Sequence, residues 1–154
     1  MGTPSLGYED STTLSRGTIA QVQLTEAIDL FVQEKFLCAV TLAGAAEEIL
    51  GKLSQRKGEL PVVRASTKAI QELRERTGLT VMDGKSQQEI IAEWNAARNA
   101  FKHLVAPEDE PVTMNLCDEA YWMIRRALAN ARKIGLQISN ESDFESWVVV
   151  HVNM

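Results

Sequence analysis

Residues 24–53, LTEAIDLFVQEKFLCAVTLAGAAEEILGKL, carry the clearest helical signal in the chain. Leu24, Ile28, Phe31, Cys38, Leu42, Ala45 and Ile49 recur at steps of three, four or seven, the spacing that lines one face of an α-helix. Phe36, Val40, Ala43, Ala46 and Leu50 widen that stripe. A helix apolar over so much of its surface belongs in the middle of a bundle or against a second subunit. Ala43-Gly44-Ala45-Ala46 offers small side chains over which a neighbour can approach closely, and Gly44 costs helix propensity, so a packing reason is expected for it.

Reading outward from this segment, residues 1–20 are rich in Gly, Ser and Thr, lack periodicity and read as a flexible N-terminal arm, leaving 21–154 as a single domain. Ser54, Gly58 and Pro61 mark a loop. A shorter helix is expected from about Val63 to Thr77, with Ile70 and Leu73 inward and Gly78 as its stop. Leu79 to Lys85 could hold a scrap of strand before the Asp83-Gly84 turn. Ser86-Gln87-Gln88-Glu89 is a capping box, and the helix it opens carries Ile90, Trp94, Ala97, Phe101 and Leu104. After the acidic Glu108–Pro111 loop, Asn115 caps a helix carrying Leu116, Ala120, Met123, Ala127, Ala131 and Ile134, ending at Gly135. At the C-terminus Val148-Val149-Val150 prefers strand, so one short helical turn from Ser142 and then an extended end is expected. The sum is an all-α chain: an antiparallel four-helix bundle with a short fifth element at its C-terminus.

Composition agrees with one soluble domain: 154 residues, 45% hydrophobic, 24% charged and 6% aromatic. The formal net charge of −5 supplies no global field for nucleic acid, so any RNA contact must come from a local basic patch. Cys38 and Cys117, the only two cysteines, fall on predicted buried stripes and read as thiols in a reducing, cytoplasmic setting. No apolar run reaches the ~18 residues of a membrane span, and residues 1–17 have no apolar signal core.

The chemistry-bearing stretch is Arg98-Asn99-Ala100-Phe101-Lys102-His103. A histidine can take and return a proton near neutral pH. An arginine can hold a phosphate through two parallel hydrogen bonds. On a continuous helix advancing about 100° per residue, Lys102, Asn99 and His103 fall at about 40°, 100° and 140° from Arg98, away from the apolar stripe. That places all four on a face open to solvent or to another subunit. The bland alternative is that Arg98, Lys102 and His103 only complement the dipole at a helix C-terminus.

Arg-Asn followed by three residues and His, late in the third long helix of a small helical chain, resembles the HEPN superfamily. The segment Ala43-Gly44-Ala45-Ala46-Glu47-Glu48 and the helix from Asp118 through Ala127 add to that likeness, which covers roughly residues 24–138. The resemblance implies four or five helices and a homodimer whose two motifs line one cleft. It implies a metal-independent RNA endonuclease of toxin–antitoxin or defence systems, or a non-catalytic binding module of the same fold. An antitoxin or a nucleotidyltransferase would be its partner, with no cofactor. In the enzyme, His103 would remove the proton from a 2′-hydroxyl that attacks the adjacent phosphorus. Arg98 would hold the phosphate oxygens, Asn99 would orient the phosphate or the imidazole, and Lys102 would position the backbone. Glu48 would orient Arg98, although the pattern leaves open which of Glu47 and Glu48 faces inward. Arg98 tied up by an acidic residue would favour the binding module.

Other constellations are weak. A di-iron bundle needs Glu three residues before His, and Ala100 and Val148 occupy those positions before His103 and His151. Arg125-Arg126 and Arg132-Lys133 read as a solvated helix face partnered by Asp118, Glu119 and nearby loops.

Overall fold

Ser15 Oγ accepts the backbone N–H of Thr18 at 3.0 Å, and that cap opens the first helix, α1 (Arg16–Val32). In the computed structural model, which describes Gly7 and residues 11–152, the chain is all-helical, with no strand among the described residues. Ala20 is fully buried within α1, so the expected boundary between arm and domain at residue 20 falls inside a helix. Residues 1–6 and 8–10 of the expected arm lie outside the described residues.

The expected single helix over 24–53 is two helices, α1 and α2 (Phe36–Arg56). Glu34 takes φ +61°, and the N–H groups of Glu34 and Lys35 bond to the carbonyls of Phe31 and Leu30, each at 2.9 Å. A left-handed residue other than glycine costs about 1–2 kcal/mol. The apolar contact of α1 with α2, with Phe31 and Phe36 rings 5.3 Å apart, offsets it. The break also resets the helical phase. α1 buries Leu24, Ala27, Ile28 and Phe31, whereas α2 buries Ala39, Val40, Ala43, Ala46 and Leu50. Cys38 is therefore exposed, contrary to the stripe drawn across both helices, and Cys117 is half-buried.

Helix α3 (Val62–Thr77) ends at Gly78, which takes φ +69°, as expected. Leu73 is exposed rather than inward, and Ile70 is only partly buried. Residues 81–84 form a single 3₁₀ turn instead of a scrap of strand. Met82 and Asp83 there both have positive φ, and Arg74 clamps the turn through bonds to the carbonyls of Val81 and Lys85 at 2.8 and 2.6 Å. Ser86 caps α4 (Gln87–Trp94) by accepting from the Glu89 N–H. The helix expected to run to Leu104 breaks at Asn95; a five-residue α5 (Ala96–Ala100) follows, and Leu104 is exposed.

Asn115 caps α6 (Leu116–Lys133) as expected, with its side chain accepting from the Asp118 N–H at 3.0 Å. The last element is a full helix, α7 (Glu141–His151), not a turn followed by an extended end. Phe144 and Val148 are buried, and the Phe31 ring lies 5.1 Å from Phe144 and 4.7 Å from Trp147. Packing of that face outweighs the strand preference of three valines, of which Val149 and Val150 stay exposed. Helix α2 is central: it packs against α1 and α6, while α7 covers α1. No helix among the described residues is long and apolar enough to cross a membrane.

Arg125 ties α6 to α7. Both its terminal nitrogens donate to the Glu145 carboxylate, one at 2.9 Å, and its guanidinium stands 4.9 Å over the Phe144 ring. That hydrogen bonding holds the Glu145 carboxyl below its ordinary value. A carboxyl lower in the folded than in the unfolded chain stabilises fully at neutral pH and loses that contribution as pH falls through the carboxylate range. Glu145→Gln is therefore expected to flatten the acid side of the stability profile. Urea midpoints measured from neutral pH down to about 3 would check it, and a slope equal to that of the parent would refute it.

Candidate functional site

Helix α2 presents Glu47 inward at 4% exposure, in register with Val40, Ala43 and Leu50. Its carboxylate is shared. Arg98 Nη1 donates to Glu47 Oε2 at 3.0 Å, and Arg126 Nη2 donates to Glu47 Oε1 at 3.1 Å. Each arginine side chain is only 11% exposed. Arg126 also donates to Asn95 Oδ1 at 2.8 Å and to the Trp94 carbonyl at 3.3 Å, so it grips the chain where α4 breaks into α5. Burial pulls the Arg126 guanidinium below its ordinary value, and Glu47 pulls it back up. Asn130, fully buried one turn further along α6, accepts the first N–H of α3 from Val62 at 2.8 Å and donates to the Glu47 carbonyl at 3.5 Å. This cluster joins α2, α3, α5 and α6.

Gly44 gains its packing reason here. A Cβ at that position would lie 2.5 Å from Arg98 Cδ and 2.6 Å from Cγ. The missing side chain is the slot through which Arg98 reaches Glu47. Arg98 thus does not share an open face with its neighbours. The expectation of one shared open face fails because α5 packs against α2, where Gly44 leaves room for Arg98 and Glu47 holds it. Glu48, expected to support Arg98, is exposed and pairs with Lys52 at 3.5 Å; Glu47 holds that role instead.

His103 lies beyond the end of α5, its backbone N–H bonded to the Asn99 carbonyl at 3.0 Å. Asn99 and His103 line one open depression of about 490 Å³ with Glu108 and Asp109. Arg98 lines a different, smaller depression of about 180 Å³ with Glu47, Arg64 and Arg126. The structure brings Asn99 and His103 together and leaves Arg98 apart from them. Lys102 is exposed, with no ion pair among the described residues.

Arg125 and Arg126 are not the solvated, Asp118- and Glu119-paired residues that their spacing suggested. Their partners are Glu145 and Glu47. Sequence reasoning missed Arg126, Asn95 and Asn130 as one cluster. The signal for Glu47 was present in the steps of three and four that connect Val40, Ala43, Glu47, Leu50 and Ser54. The signal for Arg126 was not, because it depends on where α4 ends. Comparison with protein-family models, curated proteins and solved structures gives no match.

Proposed function

We propose that this chain is a HEPN-like helical module, with that superfamily's four-helix arrangement, which acts by binding a partner protein or nucleotide rather than by cutting RNA. The observation that carries this reading is the ion pair of Arg98 with Glu47 at 3.0 Å. With Nη1 committed to a buried carboxylate and the side chain only 11% exposed, the guanidinium offers little open surface for a phosphate to take in two parallel bonds. The depression around His103 carries Glu108 and Asp109, which repel a polyanion. Purified protein incubated in EDTA with single-stranded or structured RNA is expected to leave it intact, as is His103→Ala. Cutting by the parent that the variant loses would overturn the reading.

That result would favour the second reading, a metal-independent endoribonuclease of a toxin–antitoxin or defence system. Its support is that Asn99 and His103 are exposed side by side in one depression. There His103 would take the 2′-hydroxyl proton, leaving a 2′,3′-cyclic phosphate and a 5′-hydroxyl, and a homodimer would bring the second His103 as the acid. Sedimentation equilibrium tests the dimer: a mass near twice the 17.1 kDa of the chain supports it, and the chain mass alone counts against it.

A further inference from the structure

A cleft of about 540 Å³ opens between α3, α4, α6 and the 3₁₀ turn at residues 81–84. That is the size of a small-molecule pocket. Met123 on α6 forms its floor and is almost fully buried. Trp94 at the end of α4, Trp122 on α6 and Met82 on the clamped turn supply its walls. The turn holds two residues in the left-handed region, and three bonds from Arg74 keep it there, so Met82 is positioned over the cleft by a built device.

The charged groups around the cleft separate into paired and unpaired. Arg125 is held by Glu145, and Arg126 by Glu47 and Asn95. Glu93 is bonded to Lys85 at 2.7 Å. Glu119 alone among the charged residues lining the cleft has neither a side-chain hydrogen bond nor an ion pair among the described residues. It is half-buried; burial, with Asp118 beside it, pushes its carboxyl above the ordinary value, and the nearby Arg126 guanidinium, already bonded to Glu47 and Asn95, only partly pulls it back. A cation in the cleft would relieve that penalty. Indole faces attract the same charge, because the ring quadrupole is negative above and below the plane.

We propose that this cleft binds a small organic cation with an apolar body, its charge facing Glu119 and its body against Trp94 and Trp122. The proposal goes beyond the binding reading above, since this ligand is neither a protein nor a nucleotide, and its site is separate from the Asn99–His103 depression. The RNA assay and the experiment below therefore fail independently.

The experiment follows the indole N–H resonances of the three tryptophans in a nitrogen-labelled full chain. Choline and benzyltrimethylammonium are titrated in turn, with 3,3-dimethylbutan-1-ol as the uncharged analogue of choline. Trp94 and Trp122 are expected to shift saturably with at least one cation. Trp147, packed against Phe31 in the α1–α7 core, serves as the internal control and should stay still. Glu119→Gln and Trp122→Ala are each expected to weaken binding roughly tenfold. Trp122 is 63% exposed, so its loss leaves the core intact, and circular dichroism confirms the fold of both variants. Absence of saturable shifts with either cation overturns the proposal. So does equal binding of the uncharged alcohol, or unchanged affinity in both folded variants.

Discussion

Glu47→Ala is expected to cost about 3–5 kcal/mol of stability, because removing one partner from a buried ionic cluster leaves uncompensated charge behind. Glu47 is 4% exposed and is the shared acceptor for Arg98 and Arg126. Its loss strands two guanidiniums that are each nearly buried, alongside Nε atoms of both arginines that already have no hydrogen-bond partner. For a chain of this size the melting temperature should fall by roughly 6–20 °C. The reference is Glu48→Ala, one residue away, which removes only an exposed pair with Lys52 and should cost at most about 1 kcal/mol. Adding Arg98→Met and Arg126→Met to the Glu47→Ala background should recover much of the loss, since an apolar cluster has no charge to desolvate. Comparable melting temperatures for the Glu47 and Glu48 variants would refute the buried cluster.

Gly44→Ala sets two effects against each other. In a helix interior the exchange should gain about 0.5–1 kcal/mol from backbone entropy and propensity. The new methyl, however, would sit 2.5 and 2.6 Å from Arg98 Cδ and Cγ, well inside the ~3.5–4.0 Å of a relaxed carbon contact. Overpacking of this kind costs about 1–3 kcal/mol. Displacing Arg98 also removes one of the two partners of Glu47. The clash should win, giving a net loss of about 2 kcal/mol. The sign should reverse when Arg98 is cut to Ala. The closest remaining atom is then Arg98 Cβ at 3.4 Å, and Gly44→Ala becomes stabilising by its propensity alone. Chemical denaturation of the four chains of this double-mutant cycle tests the argument. An Ala at 44 that is neutral in both backgrounds would mean that Gly44 is not the slot for Arg98.

These two outcomes bear on function as well as on folding. The same Arg98 that the sequence offers as a phosphate clamp is the residue that Gly44 admits and Glu47 holds. A variant that frees Arg98 from Glu47 loosens the junction of α2, α5 and α6, so the guanidinium acts as a structural tie in the protein as it stands.

How far the site was legible depends on the range of the interactions involved. Ser86 and Asn115 were readable as caps because each bonds a backbone N–H three residues away. Gly78 was readable as a stop because a positive φ at a helix end suits glycine. Arg98, Asn99 and His103 were correctly singled out as polar residues near a helix end. Their mutual geometry was not: the periodicity suggests a helix unbroken through Asn95, and Arg98 is drawn to Glu47, 51 residues away in the chain. That break coincides with bonds from Arg126, which is 31 residues further along the chain from Asn95. Likewise the turn at Glu34 carries no glycine or proline to announce it; its left-handed conformation persists because the helices on either side pack on one another.

Amino-acid order by itself determined the helical class of this protein, the caps at Ser86 and Asn115 and the stop at Gly78, since these follow from hydrogen bonds and periodicity within a few residues. Only the tertiary structure decided which carboxylate of Glu47 and Glu48 is buried, where Arg98 points, and that α7 is a helix. Those outcomes turn on the burial of charge and of apolar surface between segments 79 residues apart in the Glu47–Arg126 pair and 113 apart in the Phe31–Phe144 contact, and desolvation is a property of the assembled core rather than of any local stretch.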